Sequence, residues 1–566
     1  MSSTAPAPSP TDPSPTDPSP TDPAPEVVAT ATTAPGPDLP DDRGLASVLD
    51  DALAADPGRV VFPGVRGHGD VDVRTLHRDV RRLAARLVGR GLGVGERVVV
   101  LGRTGYPWVV TDLAVLAVGA VVVPVYPTAS AEQIRHILTD SAAVFGLAET
   151  AEQQALLDGS GVGLREPAWA LDDVVGLDRP EPAARPQDSR LARRLTAVRA
   201  DDLATIVYTS GTTGLPKGCL LTHRNMYVAA AGVVAQTGTM FGGEPGEQAR
   251  TVLALPLSHV FGRTVLFACL VGGSATALAA GVPEMLAMLP GVAPTFLTLV
   301  PYALEKIRKA STGGPSFGGS LTGVISGGAS LDPSTAAWFT DAGVTVLQGY
   351  GLTETATAAT INGPGAQRTA TVGRPIPGVT VAITADGEIL VRGANVTSGY
   401  WGRGPEHADG WLHTGDLGRL DDDGFLTITG RRKEILVTSG GKNVAPAPLE
   451  DRVRLHPLVS NCIVLGDGRT HVTALVTVDR GALAAWAARE GADLGRSLDE
   501  DPRVREQVGM AVAEANGLVS RAESIRSFRV LEGDFTIAAG HMTPSMKLRR
   551  RAIEDDFAAD VTALYG

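Results

Sequence analysis

From about Asp41 to Thr429, valine-rich apolar runs alternate with stretches whose apolar residues have a helical spacing. The first of these are RVVVLG (97–102), a helical pattern through WVVTDLAVLAVG (108–119), AVVVPVYP (120–127) and the amphipathic EQIRHIL (132–138). Strands that are apolar on both faces need cover on both sides, and alternation with helices favours parallel order. The pattern therefore predicts an α/β fold built on parallel sheets.

The later part of the chain changes character twice. GEILVRG (387–393) and GFLTITG (424–430) are typical of antiparallel strands joined by Asp and Gly turns, so they predict a small β-rich subdomain. Charge density rises in RRKE (431–434), and a mixed α and β pattern continues from there. We therefore predict a large N-terminal domain over residues 41–430 and a small α+β domain over residues 431–566.

Residues 1–40 are rich in proline and repeat SPTDP three times between positions 9 and 23. No apolar periodicity accompanies the repeat, so burial could not offset the entropy lost on ordering. This composition predicts a disordered tail of unknown use.

Composition limits which classes of function the chain can have. A net charge of −12 gives no support for nucleic-acid binding. The three cysteines, Cys219, Cys269 and Cys462, are widely spaced, which fits a reducing cytoplasm and indicates neither a disulfide framework nor a zinc site. The N-terminus lacks the pattern of a secretory signal.

The long uncharged window at 264–283 raises the question of a membrane span. Gly and polar residues interrupt it, so we interpret it as buried core.

The stretch YTSGTTGLPKG (208–218), here the phosphate loop, carries Lys217 as its single charge. Small residues leave backbone N–H groups open to an anion, Ser and Thr hydroxyls add donors, and the lysine adds positive charge. The loop is not a Walker A motif, because Pro216 precedes the lysine and Gly218 follows it where that motif has Ser or Thr. It predicts a phosphate site of another kind.

An isolated GTTG is most often a flexible surface turn, but further motifs follow this one. They are GAVVVPVYPTASAEQI (119–134), LPLSHVFGR (255–263), SGGA (326–329), QGYGLTET (348–355), GWLHTGD (410–416), GRRKEILVTSGGKNVAP (430–446) and MTPSMKLRR (542–550). Together with the phosphate loop they resemble the signatures of the adenylate-forming superfamily, which includes acyl-CoA synthetases, luciferases and nonribosomal adenylation domains. The resemblance extends over residues 41–566.

The resemblance implies that a carboxylate attacks the α-phosphate of ATP and that pyrophosphate leaves. It assigns ATP binding to Thr209, Ser210, Gly211, Thr212, Thr213, Gly214, Lys217, Gly327, Gly328, Tyr350, Gly351, Thr353, Asp416 and Arg431. Within this set, the Tyr350 ring would face adenine, and Asp416 with Arg431 would bind the ribose. Thr209 and Glu354 would hold Mg²⁺. Without these neighbours, Glu354 would be a helix-start carboxylate and Asp416 a turn residue.

Lys547 lies in KLRRR, which by charge alone is a solvated basic helix end. In the family, the corresponding lysine reaches from the small, mobile domain to the carboxylate and the α-phosphate, and we expect Lys547 and Lys217 to be catalytic. Lys433 matches the family's hinge position. The loop at Gly440, Gly441 and Lys442 matches the one that enters the site when coenzyme A reacts, although it could also be a simple hairpin turn.

Residues 251–273 contain no Asp or Glu, so the ammonium group of an amino-acid substrate would be left unpaired. The apolar character favours a fatty acid, although a buried α/β core has the same pattern. We expect an acyl pocket at His259, Val260, Phe261 and Arg263, with His259 as a gating and catalytic residue. Arg263 departs from the family, since some bacterial relatives carry a tryptophan gate there.

LPLSHVFGR, TSGGKNVAP and TPSMKLRR resemble the long-chain acyl-CoA synthetase branch, in spite of Met546 where many relatives have Gly. The sequence thus predicts an ATP-dependent long-chain fatty acid–CoA ligase that uses Mg²⁺ and coenzyme A. A fatty acyl-AMP ligase that loads a carrier protein remains an alternative, although the insertion typical of that group is not evident. So does a non-catalytic relative that binds nucleotide or lipid. Peripheral contact of an apolar protein surface with the inner face of a membrane is a further alternative.

Overall fold

The structure is a computed structural model that describes residues 26–175, 189–209, 216–310, 319–403, 409–491, 497–543 and 547–565. Before the phosphate loop, its elements are β1 (Val27–Thr32), α1 (Val48–Ala55), β2 (Val60–Val65), β3 (Gly69–Asp72), α2 (Val73–Gly89), β4 (Arg97–Leu101), α3 (Tyr106–Ala117), β5 (Val121–Val125), α4 (Ala131–Ser141), β6 (Phe145–Ala148), α5 (Ala151–Asp158), β7 (Trp169–Ala170), α6 (Ser189–Ala197) and β8 (Leu203–Thr209).

The large domain continues through the phosphate loop. Its later elements are β9 (Lys217–Thr222), α7 (His223–Gln236), β10 (Arg250–Leu253), α8 (Val260–Gly272), β11 (Ala275–Leu278), α9 (Val282–Val292), β12 (Phe296–Leu299), α10 (Pro301–Ala310), β13 (Gly323–Ser326), α11 (Pro333–Asp341), β14 (Thr345–Tyr350), β15 (Thr360–Ile361), β16 (Arg374–Pro375), β17 (Thr380–Thr384), β18 (Glu388–Arg392), β19 (Leu412–Leu420) and β20 (Leu426–Arg431).

Two sheets confirm the predicted α/β architecture of the large domain. One has the strand order β7-β6-β4-β5-β8-β9, parallel except at β8 and β9, which pair antiparallel around the phosphate loop. The other has the order β12-β13-β14-β15-β16, and its first three strands are parallel. The strands and helices predicted between residues 97 and 138 are present as β4, α3, β5 and α4. The valines of β4 and β5 are buried because helices cover both faces.

The uncharged window at 264–283 contains most of α8 and all of β11. The α8 side chains from Val260 to Leu270 are buried, which confirms the interpretation of this window as core. None of the helices in the described ranges has the length and hydropathy needed to cross a bilayer.

The β-rich subdomain is a five-stranded antiparallel sheet in the order β1-β17-β18-β19-β20. Its edge strand β1 corrects the prediction of a disordered tail over residues 1–40, because Val27–Thr32 is ordered by pairing with β17. The sequence VVATAT is rich in β-branched residues, which fit an edge of this kind once a partner strand is available. The SPTDP repeats lie outside the described residues.

The small domain has its own sheet, β23-β24-β25, and its own buried core. Its elements are β21 (Leu436–Val437), β22 (Asn443–Val444), α12 (Pro446–Arg454), β23 (Val459–Leu465), β24 (Thr473–Val478), α13 (Arg480–Glu490), α14 (Pro502–Asn516), β25 (Phe528–Leu531), α15 (Arg550–Asp556) and α16 (Ala558–Ala563). The combination is the α+β domain that the sequence predicts.

Candidate active site

A cleft with a cavity volume of about 2700 Å³ lies between the two domains. The large domain lines it with the carboxyl ends of several strands, including Val125 of β5, Thr209 of β8 and Tyr350 of β14. Ligands of α/β folds bind at this edge of the sheet, because the loops that follow the strands converge there. The small domain contributes the opposite wall, which includes Glu450 and Lys547.

The phosphate loop includes the end of β8 and the start of β9, where its residues Thr209 and Lys217 are paired. Both line the cleft, and Lys217 is exposed to solvent there. The predicted phosphate contacts Ser210, Gly211, Thr212, Thr213 and Gly214 lie outside the described residues.

Asp416 is hydrogen-bonded to two other predicted nucleotide contacts, Tyr350 and Arg431. The Tyr350 hydroxyl donates a hydrogen bond to its Oδ2 at 2.6 Å, and Arg431 Nε donates to its Oδ1 at 2.7 Å. Asp416 is buried, and all three residues line the cleft. Burial, followed by the charge of Asp416, raises the pKa of the Tyr350 phenol, so this group stays a hydrogen-bond donor. The arrangement fixes one carboxylate and one aromatic ring on the same side of the cleft.

The predicted contacts Gly327, Gly328, Gly351 and Thr353 also line the cleft. Gly351 is constrained by a close approach of backbone, because a Cβ atom there would lie 1.7 Å from the carbonyl oxygen of Thr357. A larger residue would push the turn that carries Thr353 out of position.

Glu354 lies in the same turn, where the hydroxyl of Tyr400 donates a hydrogen bond to its Oε1. Lys217 Nζ lies above the Tyr400 ring, 5.7 Å from the ring centroid. Tyr400 lines the cleft and was missed by the sequence analysis. Its local sequence, SGYWG (398–402), carries no charge or spacing that would single it out.

His259 caps the N-terminus of α8, where its Nδ1 accepts a hydrogen bond from the Phe261 backbone N–H at 3.0 Å. Burial and then the positive charge of Lys547 lower the pKa of His259 to about 4. The imidazole is therefore neutral at pH 7. It lies beside the Tyr126 ring at the cleft wall, with ring centroids 6.3 Å apart.

Val260 and Phe261 line the cleft as predicted for an acyl pocket, but Arg263 does not. Arg263 is fully buried on the other side of α8, where its guanidinium makes two hydrogen bonds to the Asp112 carboxylate, at 2.7 and 3.1 Å. It also donates to Thr205 Oγ1 at 2.7 Å. The prediction of Arg263 as an acyl-pocket residue is wrong, because an ion pair with α3 holds this side chain in the core.

Lys547 enters the cleft from the small domain, just after the undescribed residues 544–546. Its backbone pairs with Thr543, whose N–H donates to the Lys547 carbonyl at 2.8 Å. The side chain contacts solvent inside the cleft while protein encloses it on most sides. Burial, and then the charge of Arg431, lower the pKa of Lys547, whereas Asp416 acts in the opposite direction. The charges of both domains therefore meet at this lysine.

Of the other predicted small-domain residues, one lines the cleft and three do not. Lys433, in a short helical turn at Arg432–Glu434, is exposed and lines the cleft. Gly440, Gly441 and Lys442 form the turn between β21 and β22 and do not line the described cleft. Lys442 instead lies 3.2 Å from Glu523 of its own domain.

Hydrogen bonds from Lys309 and an ion pair between Arg454 and Glu305 join the small domain to α10 of the large domain, and we name this the docked arrangement. Lys309 Nζ donates to the carbonyl oxygens of Arg454 and Val459, at 2.8 and 3.1 Å. Arg454 in turn lies 3.9 Å from the buried carboxylate of Glu305. This contact was not predicted, because its members belong to separate segments that carry no shared motif.

The docked arrangement is expected to weaken as pH rises toward 6. Burial raises the pKa of Asp451 from 3.8 to about 6, although Arg454 opposes this shift. Glu305 of the large domain contributes to this rise, so docking itself raises the pKa of Asp451. A carboxyl group whose pKa rises on docking takes up a proton, so docking is favoured at low pH and weakens as the pH rises toward about 6. We expect docking to be on the order of tenfold weaker at pH 6.5 than at pH 4.5, measured by energy transfer between dyes on the two domains.

Asp451→Asn is the control, because it removes this titration and keeps the side-chain shape. His456 also titrates, since burial and Lys309 lower its pKa, and its protonation disfavours docking at low pH. The Asp451 contribution is therefore the difference between the two proteins. Identical pH profiles for the wild type and Asp451→Asn would contradict the prediction.

Models of known protein families match both domains of the chain. The family model described as AMP-binding enzyme matches residues 49–401, and the model for the AMP-binding enzyme C-terminal domain matches residues 433–566. The chain is 39% identical over 557 residues to the long-chain-fatty-acid–CoA ligase FadD15 of Mycobacterium bovis, covering 88% of this chain and 92% of that protein. It is 32% identical over 415 residues to the feruloyl-CoA synthase of an Amycolatopsis species, covering 69% and 79%.

A solved structure gives the same fold. It is the O-succinylbenzoate coenzyme A synthetase of Bacillus subtilis in complex with ATP and magnesium ion, which matches with a TM-score of 0.70 at 23% identity over 89% of this chain and 98% of that one. With both of its domains matched by family models, the chain belongs to the AMP-binding enzymes, the adenylate-forming superfamily that its motifs resemble.

Proposed function

We propose that the protein is an AMP-forming long-chain fatty acid–CoA ligase. The observation that carries this proposal is the meeting of Lys547, from the small domain, with the group of Asp416, Tyr350 and Arg431 in one cleft. The extent of the similarity to a long-chain-fatty-acid–CoA ligase supports the substrate class.

In the first step, a carboxylate oxygen of the fatty acid attacks the α-phosphorus of ATP, the bond to pyrophosphate breaks, and acyl-AMP forms. Asp416 would accept hydrogen bonds from the ribose hydroxyls, and the Tyr350 ring would lie against adenine. Lys217 would neutralise the leaving phosphates, while Lys547 would stabilise the negative charge between carboxylate and α-phosphate. Two lysines, Lys217 from the large domain and Lys547 from the small domain, would match the negative charge on the leaving phosphates and at the α-phosphate.

The cleft suits Mg²⁺ that arrives with ATP. Within the described ranges, no three His, Cys, Asp or Glu side chains come together as a metal site. Glu354 and the Thr209 hydroxyl both line the cleft, and one carboxylate with a hydroxyl fits an octahedral ion held mainly by phosphate oxygens and water. The bound ion would neutralise charge on the phosphate oxygens.

In the second step, the thiolate of coenzyme A attacks the acyl carbon, and AMP leaves. Lys547 occupies the cleft in the docked arrangement, while the turn at Gly440, Gly441 and Lys442 lies outside it. We propose that the small domain rotates about Lys433 between the two steps, which withdraws Lys547 and brings this turn to the cleft. The domain boundary near Arg431 belongs to the same proposal.

The acyl tail would extend along the apolar part of the cleft. This wall is built from side chains of α7 and α8 and their neighbours, including Val233, Phe241, Val260, Phe261, Val265 and Ala268. An alkyl chain buried there would gain about 0.8 kcal/mol per methylene, which corresponds to a factor of about four in binding. His259 would act at the entrance as a neutral group.

Acids of increasing length test the proposal. With ATP, Mg²⁺ and coenzyme A, we expect kcat/KM for dodecanoate or palmitate to exceed that for acetate by at least about a thousandfold, because each buried methylene adds to transition-state binding. The measurement is AMP release together with chromatography of the acyl products. Acetate is the matched control, since it presents the same reacting group without the tail.

The products separate the alternatives. Acyl-AMP that accumulates while no acyl-CoA forms would favour an acyl-AMP ligase that loads a carrier protein. A preference for ferulate over palmitate would contradict the fatty-acid assignment and favour an aromatic acid. Absence of product with every acid would favour a relative that binds nucleotide without catalysis.

A further inference from the structure

The segment from Thr397 to Trp401 connects the phosphate loop with the turn that carries Glu354. Leu220 N–H donates to the carbonyl of Gly399 at 3.0 Å, and Trp401 N–H donates to the carbonyl of Gly218 at 2.7 Å, so the segment lies alongside β9. At its other end, Thr397 N–H donates to the Glu354 carbonyl at 2.8 Å. The backbone therefore holds Tyr400 at a fixed place between the two.

The Tyr400 side chain contacts both charged groups of this region. Its hydroxyl donates to Glu354 Oε1, while the Lys217 ammonium lies above its ring at 5.7 Å from the centroid. The side chain is half-buried at the cleft wall. A phenol bonded to a carboxylate fixes the carboxylate's orientation, and an aromatic face attracts a cation without neutralising it.

We propose that Tyr400 is a positioning residue for the metal and phosphate end of the site, an inference that rests on the proposed function. It holds the Glu354 carboxylate ready for the divalent cation that accompanies ATP, and it keeps Lys217 over its ring. Without it, Glu354 and Lys217 are free to pair with each other, and such a pair withdraws the negative charge that the cation needs and the positive charge that the phosphates need.

Tyr400→Phe tests the first half of this proposal, because it removes the hydroxyl and keeps the ring. ATP binding is measured by calorimetry over a series of Mg²⁺ concentrations, without fatty acid and coenzyme A, so the readout does not depend on turnover. The Mg²⁺ concentration that gives half of the full effect on ATP affinity is expected to rise about tenfold to a hundredfold, as for the loss of a group that orients a metal ligand. ATP affinity in the presence of chelator is expected to stay unchanged.

Tyr227→Phe is the matched control, since Tyr227 is a half-buried tyrosine on α7 that does not line the cleft. It is expected to leave the Mg²⁺ dependence at the wild-type value. Tyr400→Leu removes the ring as well, so it is expected to lower ATP affinity even with chelator present, because Lys217 loses its position.

A double-mutant cycle separates positioning from general stability. If Tyr400 acts through Glu354, Tyr400→Phe has no further effect on the Mg²⁺ dependence of Glu354→Gln. Glu354→Asp is a second test should Tyr400→Phe fold poorly. It keeps the charge but draws the carboxylate away from the phenol, so the Mg²⁺ concentration that gives half of the full effect is again expected to rise. Wild-type Mg²⁺ dependence in either Tyr400→Phe or Glu354→Asp would overturn the proposal.

These measurements are independent of the proposed ligase activity. Failure of the wild type to form acyl-CoA would contradict the proposed function and leave the Mg²⁺ and ATP titrations interpretable. Failure of the titrations to respond to Tyr400→Phe, in a wild type that forms acyl-CoA, would contradict the role of Tyr400 alone.

Discussion

Replacement of Lys547 with alanine is expected to lower the rate of fatty-acid-dependent pyrophosphate release by about a hundredfold to a thousandfold, the effect typical of losing one group that stabilises a charged transition state. ATP is expected to bind nearly as well as to the wild type, because Asp416, Tyr350 and Arg431 belong to the large domain or its border. The measurement is single-turnover pyrophosphate release at saturating ATP and palmitate.

Two controls show whether the effect belongs to the first step. Purified acyl-AMP supplied with coenzyme A is expected to be converted to acyl-CoA within about threefold of the wild-type rate, since the second step uses the cleft after Lys547 is withdrawn. Lys306→Ala changes an exposed lysine on α10 and is expected to leave both steps unchanged. Wild-type pyrophosphate release by Lys547→Ala would refute its catalytic assignment.

The sequence predicted the fold well where local patterns determine structure. The valine runs of β4 and β5, separated by a helical stretch, are apolar on both faces and fit a covered parallel sheet. β1 shows the limit of such reasoning. Its edge position depends on pairing with β17, more than 300 residues away. Because proline-rich sequence flanks this β-branched run, local patterns predict disorder there.

For the candidate site, the sequence predicts individual residues but not their contacts with one another. Motifs identified Tyr350, Asp416 and Arg431 separately, but their mutual hydrogen bonds follow from the tertiary structure, which brings β14 and β19 to the same cleft. Tyr400 carries no pattern at all, because one tyrosine after a glycine is compatible with any turn. Its role becomes visible through its contacts with Glu354 and Lys217.

Arg263 was misplaced for a different reason. It was assigned to the acyl pocket by the family resemblance, because some bacterial relatives carry a tryptophan gate at this position, whereas a lone charged residue in an apolar helix is also typical of a buried ion pair. A signal was present in the sequence, since Asp112 is the one charge of α3 and Arg263 the one charge of α8. Two lone opposite charges in apolar helices indicate a pair, although their separation of 151 positions left the contact undetermined.

Arg263→Met is accordingly expected to destabilise the large domain by about 3 to 5 kcal/mol, because it leaves the Asp112 carboxylate buried without its partner. Thr205 Oγ1 also loses its donor. The free energy of unfolding is measured by denaturant titration followed by tryptophan fluorescence, since Trp108 lies beside this pair in the core. Asp112→Leu is expected to have an effect of similar size, through the unpaired guanidinium.

The double variant Asp112→Leu with Arg263→Met decides between a core pair and an acyl gate. Replacement of a buried ion pair by apolar side chains of similar volume is often close to neutral, so stability is expected to return to within about 1 to 2 kcal/mol of the wild type. Because Arg263 lies outside the cleft lining, the order of preference among fatty acids is expected to stay unchanged in the double variant. A double variant that is stable but accepts a different range of chain lengths would place Arg263 back in the acyl pocket, since the residue at position 263 would then affect which fatty acids bind.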